Sequence, residues 1–111
     1  MRDLSGRIRG HFISAFGLSE ASASSLVASS RASMSEGLGR LSRALAASDA
    51  EAVSHWAHSL KGNLLNSGLA EFAVLAAAIE ESAMAGSLDS EEVRENLACL
   101  KASLGGFISG G

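Results

Sequence analysis

Residues 48–68 read SDAEAVSHWAHSLKGNLLNSG, and the spacing in this stretch decides the fold. Val53, Trp56, Ala57, Leu60 and Leu64 recur at steps of three and four, which is the repeat of an α-helix with one apolar stripe. Ser48 and Glu51 have capping-box spacing, and Asp49 puts a carboxylate in the first turn, where the helix dipole favours it. A helix is predicted to start there and to fade at Asn66-Ser67-Gly68. At about 100° per residue, His58 falls roughly 150° from the centre of the stripe. It is therefore predicted to face solvent while Trp56, Leu60 and Leu64 are buried. Glu51, Ser54, Lys61, Gly62 and Leu65 share its side.

The same period extends in both directions. Upstream, Leu26, Val27, Met34, Leu38, Leu41 and Leu45 predict a long helix over about 20–47 that runs through the serine-rich segment Ser19 to Ser35. Leu4, Ile8, Phe12 and Phe16 stand at four-residue steps and predict a short helix over about 2–16, ended near Gly17. Downstream, Leu69, Phe72, Ala73, Ala76, Ile79 and Ala83 form a stripe that stops at Gly86, a residue suited to a helix end. Asp89 and Glu92 suggest another capping pair, ahead of Val93, Leu97, Leu100, Leu104 and Phe107. No strand-like alternation and no internal repeat is present. Short connections make sequential helices antiparallel neighbours. The expectation is an all-α protein: an antiparallel up-down four-helix bundle over residues 19–108, with an additional short N-terminal helix and its connection over 1–18, all in one domain spanning 1–111.

Composition agrees. The 111 residues include no proline, and 47% are hydrophobic. Alanine is the least costly residue to place in a helix and proline the most costly. A formal charge of -3 supplies no broad basic field for nucleic acid or anionic lipid. The single cysteine, Cys99, excludes an internal disulfide, points to a reducing compartment and is expected in the core. No apolar run approaches the roughly 18 residues of a membrane span. Near the N-terminus, Arg2, Arg7 and Arg9 precede a segment broken by polar residues, so no signal-peptide core is expected and a cytoplasmic location is.

Chemistry concentrates around His58. A neutral imidazole is a nucleophile near neutral pH. Lys61 lies one turn on, within side-chain reach, and can pair with phosphate oxygens as a point charge. Gly62 stands at i+4, where a mid-helix glycine costs about 1 kcal/mol relative to alanine. Bare backbone beside the imidazole would let something bulky approach. Leu65, two turns from His58 and off the core stripe, is the candidate docking residue. No glycine-rich phosphate loop, cysteine cluster or Ser/His/Asp signature is present.

Ala57-His58-Ser59-Leu60-Lys61-Gly62, followed by Gly68, resembles the signature of histidine-containing phosphotransfer (HPt) domains. That family reads A-H-[ST]-[LI]-K-G, then a second glycine about six residues on, then a helix ending in Leu-Glu or similar; Ile79-Glu80 falls at that place here. The resemblance covers about residues 26–107, most specifically 57–68. Leu69 stands where alanine is frequent. The resemblance implies a four-helix bundle with the acceptor histidine exposed at mid-helix. It implies a phosphorelay carrier, not a kinase, whose partners are response-regulator receiver domains and hybrid sensor histidine kinases. His58 would be the phosphoacceptor, Lys61 the phosphate stabiliser and Gly62 the access residue. No cofactor of its own is implied, and magnesium is expected on the partner receiver domain.

Other readings predict different behaviour. His55 and His58, spaced i, i+3, could contribute to a metal site, but no Glu-x-x-His pair accompanies them. His11, beside Phe12, reads as a partly buried structural residue. The main alternative is a helical-bundle interaction module that is not phosphorylated. An enzyme with its own turnover would need an acid/base pair beside His58, and none is evident.

Overall fold

The computed structural model describes residues 4–110. It contains five helices, α1 (Leu4–Phe16), α2 (Glu20–Ala46), α3 (Ala50–Asn66), α4 (Ala70–Met84) and α5 (Glu91–Ile108), and no strand among the described residues. The expected start of the first helix, at residues 2 and 3, lies outside the described residues. The serine-rich segment is helical throughout α2, with Ala23, Val27, Ser30 and Met34 turned inward. Its serines mostly face solvent, so its narrow stripe is enough to hold it.

Side chains cap the starts of α2, α3 and α5, one residue later than expected in two cases, while α4 starts at Leu69 without a side-chain cap. Ser19 accepts from the backbone N–H of Ser22 at the start of α2. At α3 the cap is Asp49, which accepts from the Ala52 N–H at 3.2 Å, and not Ser48. Ser48 has φ +54° and is used to reverse the chain after α2, so the next residue is the first one free to cap. Likewise Ser90, not Asp89, caps α5 by accepting from the Val93 N–H at 3.2 Å.

The helices α2, α3, α4 and α5 close a ring of contacts: α3 lies against α2 and α4, and α5 against α4 and α2. The contact between α3 and α4 is the most extensive. Small residues on α4 (Ala73, Ala76 and Ala83) let it approach the Val53, Ala57, Leu60 and Leu64 face of α3. Ile79, Leu100, Leu104, Met34 and Leu41 fill the centre of the ring. Burial of each such side chain contributes roughly 1.5–3 kcal/mol.

Trp56 and Cys99 are not in the core as expected, and Phe16 and Leu26, read on apolar stripes, are exposed. Trp56 is half-buried at the edge of the α3 stripe, with the Arg40 guanidinium 5.4 Å from its ring centroid and His55 edge-on at 4.9 Å. Its ring is larger than the stripe is wide, so part of it lies over the surface. Cys99 is exposed. It stands six residues past Val93, well off the Val93–Leu100–Leu104 line.

α1 packs on α2, where its Ser5 meets Arg31, and Arg7 ties it to Glu71 on α4 and to Gly68 in the α3–α4 turn. The Arg7 guanidinium donates to both carboxylate oxygens of Glu71, one at 2.7 Å, and to the Gly68 carbonyl at 3.0 Å. That hydrogen-bonded fork holds the Glu71 carboxyl down at about 2. Arg31 donates to the Phe107 carbonyl at 2.7 Å and to the Ser5 hydroxyl at 3.1 Å, and its guanidinium covers the Phe107 ring at 4.5 Å. Gly68 is required twice over. Its φ of +78° belongs to glycine, and a Cβ there would lie 2.6 Å from Cγ of the half-buried His11.

Candidate functional site

The α3–α4 hairpin builds the site. Leu60 and Leu64 anchor the inner face of α3, which turns His58 outward with 68% of its side chain exposed. Ile79 anchors α4 in the same way and brings the next residue, Glu80, against α3. Glu80 Oε2 lies 2.9 Å from His58 Nδ1, and Glu80 Oε1 accepts from Lys61 Nζ at 2.9 Å. One carboxylate therefore spans the histidine and the lysine.

Glu80 bears on which His58 ring nitrogen donates. Burial pushes the Glu80 carboxyl up, but the hydrogen bonds from Lys61 and His58 outweigh it and hold the group below the ordinary carboxylate range. Glu80 is thus ionised near neutral pH and can only accept. Nδ1 is therefore the nitrogen that donates to Glu80, and in a neutral ring the lone pair lies on Nε2.

Gly62 has nothing within 4 Å of the place a Cβ would occupy. Packing inside the chain does not demand glycine there, although it costs helix stability. Lys61 is not free in solvent: it is 29% exposed and held by Glu80. Leu65 is 52% exposed, one turn beyond Lys61.

On the opposite flank of His58 runs an open groove of about 740 Å³ between α1, α2 and α3. His58, Ser59, Gly62 and Asn66 form one wall, Phe12 and Phe16 stand at one end, and Leu26 lies on the α2 side. Leu65 does not line it. Its buried edge is a closed polar cluster: the Ser30 and Ser67 hydroxyls lie 2.7 Å apart, and both are placed to donate to Asn63 Oδ1. Among the described residues no group of three His, Cys, Asp or Glu side chains is arranged to hold a metal ion.

The family model of the Hpt domain matches residues 25–106. The chain belongs to the Hpt domain family. Hpt domains are helical bundles that carry phosphoryl groups on histidine in two-component phosphorelays, between kinases and receiver domains, and they are phosphocarriers rather than kinases. Neither the curated proteins nor the solved structures give a match. Among the described residues of this Hpt domain, no helix is long and apolar enough to cross a membrane.

Sequence reasoning gave Glu80 no role. A signal was present: His58 lies ten residues before Gly68 and Glu80 twelve after it, so a tight reversal at Gly68 brings the two level. The contribution of α1 carried no such signal. α1 lies outside the matched residues of the Hpt domain, and its attachment through Arg7 and Glu71 joins positions 64 apart.

Proposed function

We propose that this Hpt domain accepts a phosphoryl group on Nε2 of His58 and exchanges it with the aspartate of a response-regulator receiver domain, in a cytoplasmic relay fed by a hybrid sensor histidine kinase. The contact between His58 Nδ1 and Glu80 Oε2, at 2.9 Å, carries the reading. The Nε2 lone pair attacks the phosphorus of an aspartyl phosphate in line. The N–P bond forms, the P–O bond to the aspartate breaks, and the aspartate leaves as a carboxylate. No proton need move: Nδ1 keeps its hydrogen, the ring takes up positive charge, and the Glu80 carboxylate faces that charge. Return of the group to an aspartate takes the same path backwards.

Lys61 serves as phosphate stabiliser, reaching a phosphoryl oxygen by turning its ammonium from Glu80. Gly62 leaves the backbone bare where the partner's active site must approach. Leu65 lies at the edge of the surface that a partner bound at His58 covers. The chain brings no cofactor of its own, and the magnesium ion that neutralises phosphoryl charge belongs to the partner receiver domain. In this reading the ring α2 to α5 is the antiparallel up-down four-helix bundle, residues 19–108, and residues 1–18 are an addition to it within a single domain.

Incubation with receiver domains phosphorylated on aspartate, with magnesium, tests the proposal. Wild type takes up acid-labile, base-stable label, and His58→Gln takes up none. Label on His58→Gln, or no label on wild type from any receiver of the same organism, refutes it and favours an unphosphorylated interaction module.

A further inference from the structure

The seam between α2 and α5, across the ring from the α3–α4 hairpin, carries two recesses. One, of about 710 Å³, lies where the end of α2 and the α4–α5 connection meet the start of α5. The other, of about 340 Å³, continues along α2 and α5. Ser42 lines both, so they form one open groove. Its floor is apolar: Leu45, Leu88, Leu97 and Ile108 pack on the core and are only partly covered. Its rim is basic. Arg43 and Lys101 are exposed there, and neither has a hydrogen bond or ion pair among the described residues. Every other described arginine or lysine has a partner: Arg7 has Glu71, Arg9 has Glu20, Arg31 the Phe107 carbonyl, Arg40 has Glu36, Lys61 has Glu80 and Arg94 has Asp89.

We propose that this groove is a second interaction surface, and that it holds an acidic amphipathic helix of a partner protein. The proposal goes beyond phosphoryl exchange and does not depend on His58. Charge argues for that occupant. Arg43 from α2 and Arg94 and Lys101 from α5 border the groove, and the one acidic residue in its lining is Asp89. Asp89 Oδ1 is 3.5 Å from Arg94 with both side chains exposed, a surface pair that contributes little. Carboxylates on an incoming helix would meet cations that have no other partner to give up. The whole chain carries -3, which opposes a long polyanion, whereas a short acidic segment needs only the local field. The floor argues for the same occupant, because apolar side chains repeating at helical spacing would complete the burial of the half-covered leucines and Ile108. So does length: Val93 to Ile108 spans about 22 Å at about 1.5 Å per residue, room for a helix of about fifteen residues.

The sequence of α2 keeps this groove open. Its wall is made of small residues, Ser35, Gly39 and Ser42. The atom nearest to a Cβ built on Gly39 is Nη1 of Arg43, at 3.8 Å, so the arginine lies beside bare backbone. Packing does not demand glycine there, although a mid-helix glycine lowers helix stability. The seam belongs to α2 and α5, while His58 and Glu80 belong to α3 and α4, so a helix held in the groove leaves the histidine open.

The test titrates the full chain, ¹⁵N-labelled and unphosphorylated, with three synthetic helical peptides of about fifteen residues. They share one leucine stripe, and the positions flanking it are all glutamate, all glutamine or all lysine. The glutamate peptide is expected to move the amide signals of Gly39, Ser42 and Lys101 saturably and to bind about tenfold or more tighter than the glutamine peptide. The double variant Arg43→Glu, Lys101→Glu should reverse the order, so that the lysine peptide binds best. Both side chains are exposed and unpaired, so the fold should tolerate the change. If the melting temperature falls, Arg43→Gln with Lys101→Gln repeats the titration and should bring the glutamate and glutamine peptides within about threefold of each other. Arg40→Gln, on the Trp56 side of α2, should stay within about twofold of wild type. Equal binding of the three peptides, or signals that move only outside the seam, overturns the proposal. The same signals moving with protein concentration alone would assign the groove to a second copy of the chain, and moving with phosphatidylserine vesicles would assign it to a membrane surface; either overturns it. None of these outcomes bears on His58 as acceptor.

Discussion

Glu80 holds His58 from the neighbouring helix: its Oε2 is 2.9 Å from Nδ1 while its Oε1 takes the Lys61 ammonium at the same distance. The carboxylate is only 16% exposed, so its geometry is set by the packing of Ile79 and not by solvent. A phosphorylated imidazole carries more positive charge on the ring than a free one, and Glu80 is placed to favour it. Hydrogen bonds to charged groups contribute about 1.5–3 kcal/mol. Glu80→Gln should therefore shift the end-point of phosphoryl exchange toward the aspartate by about tenfold or more. The ratio of labelled receiver to labelled Hpt domain at equilibrium reads this directly. An unchanged ratio would show that Glu80 does not act through the phosphorylated ring.

Stability and function should separate at Gly62. Nothing within 4 Å obstructs a Cβ there, so Gly62→Ala should raise stability by up to about 1 kcal/mol through helix propensity. The same methyl group stands where a partner must approach, and transfer should slow. Thermal denaturation and transfer rates on one preparation decide the matter. A variant that is more stable and equally fast would leave Gly62 without a role in access.

Leu60 and His58 should separate in the opposite sense. Leu60 is 1% exposed, and truncation of a buried leucine costs about 2–5 kcal/mol. His58 faces solvent, so His58→Gln should change stability by less than about 1 kcal/mol while removing transfer. Urea unfolding of both variants checks this, and equal destabilisation would contradict the placement of the α3 faces.

The anchor of α1 should be pH-dependent. Glu71 has its carboxyl lowered from 4.5 to about 2 by the Arg7 hydrogen bonds. A depressed folded-state value means that the pair stabilises the fold above about 4.5 and that this contribution is lost as pH falls toward about 2. Glu71 is half-exposed, which limits the effect to about 0–1 kcal/mol. The stability difference between wild type and Glu71→Gln should be present at pH 7 and shrink across that window. A difference that persists at pH 2 would assign it to packing.

Much of this was legible in the sequence because helices obey a local rule. The period of Val53, Ala57, Leu60 and Leu64 placed His58 outside without any long-range information, and the same period found α2 beneath its serines. Capping was legible in kind but not in register, since the choice between Ser48 and Asp49 depends on which residue the turn uses for its positive φ. Trp56 and Cys99 were misplaced for different reasons: one ring is too large for its stripe, and the other residue never lay on one. Glu80 and the groove were hidden because they are made by separate helices meeting. A helical wheel describes each surface but not which surfaces face each other. Phe16 illustrates this, since it continues the stripe of Ile8 and Phe12 and yet emerges beyond the bundle.

The most direct measurement is a long-range ¹H–¹⁵N correlation spectrum of the three histidine rings, before and after phosphorylation by a receiver domain. The account predicts that free His58 is the tautomer with Nδ1 protonated, and that phosphorylation moves only His58, with the phosphorus coupled to Nε2 and Nδ1 still protonated toward Glu80. Phosphate on His11 or His55, phosphate on Nδ1 of His58, or histidine signals unchanged after treatment with every receiver would contradict it.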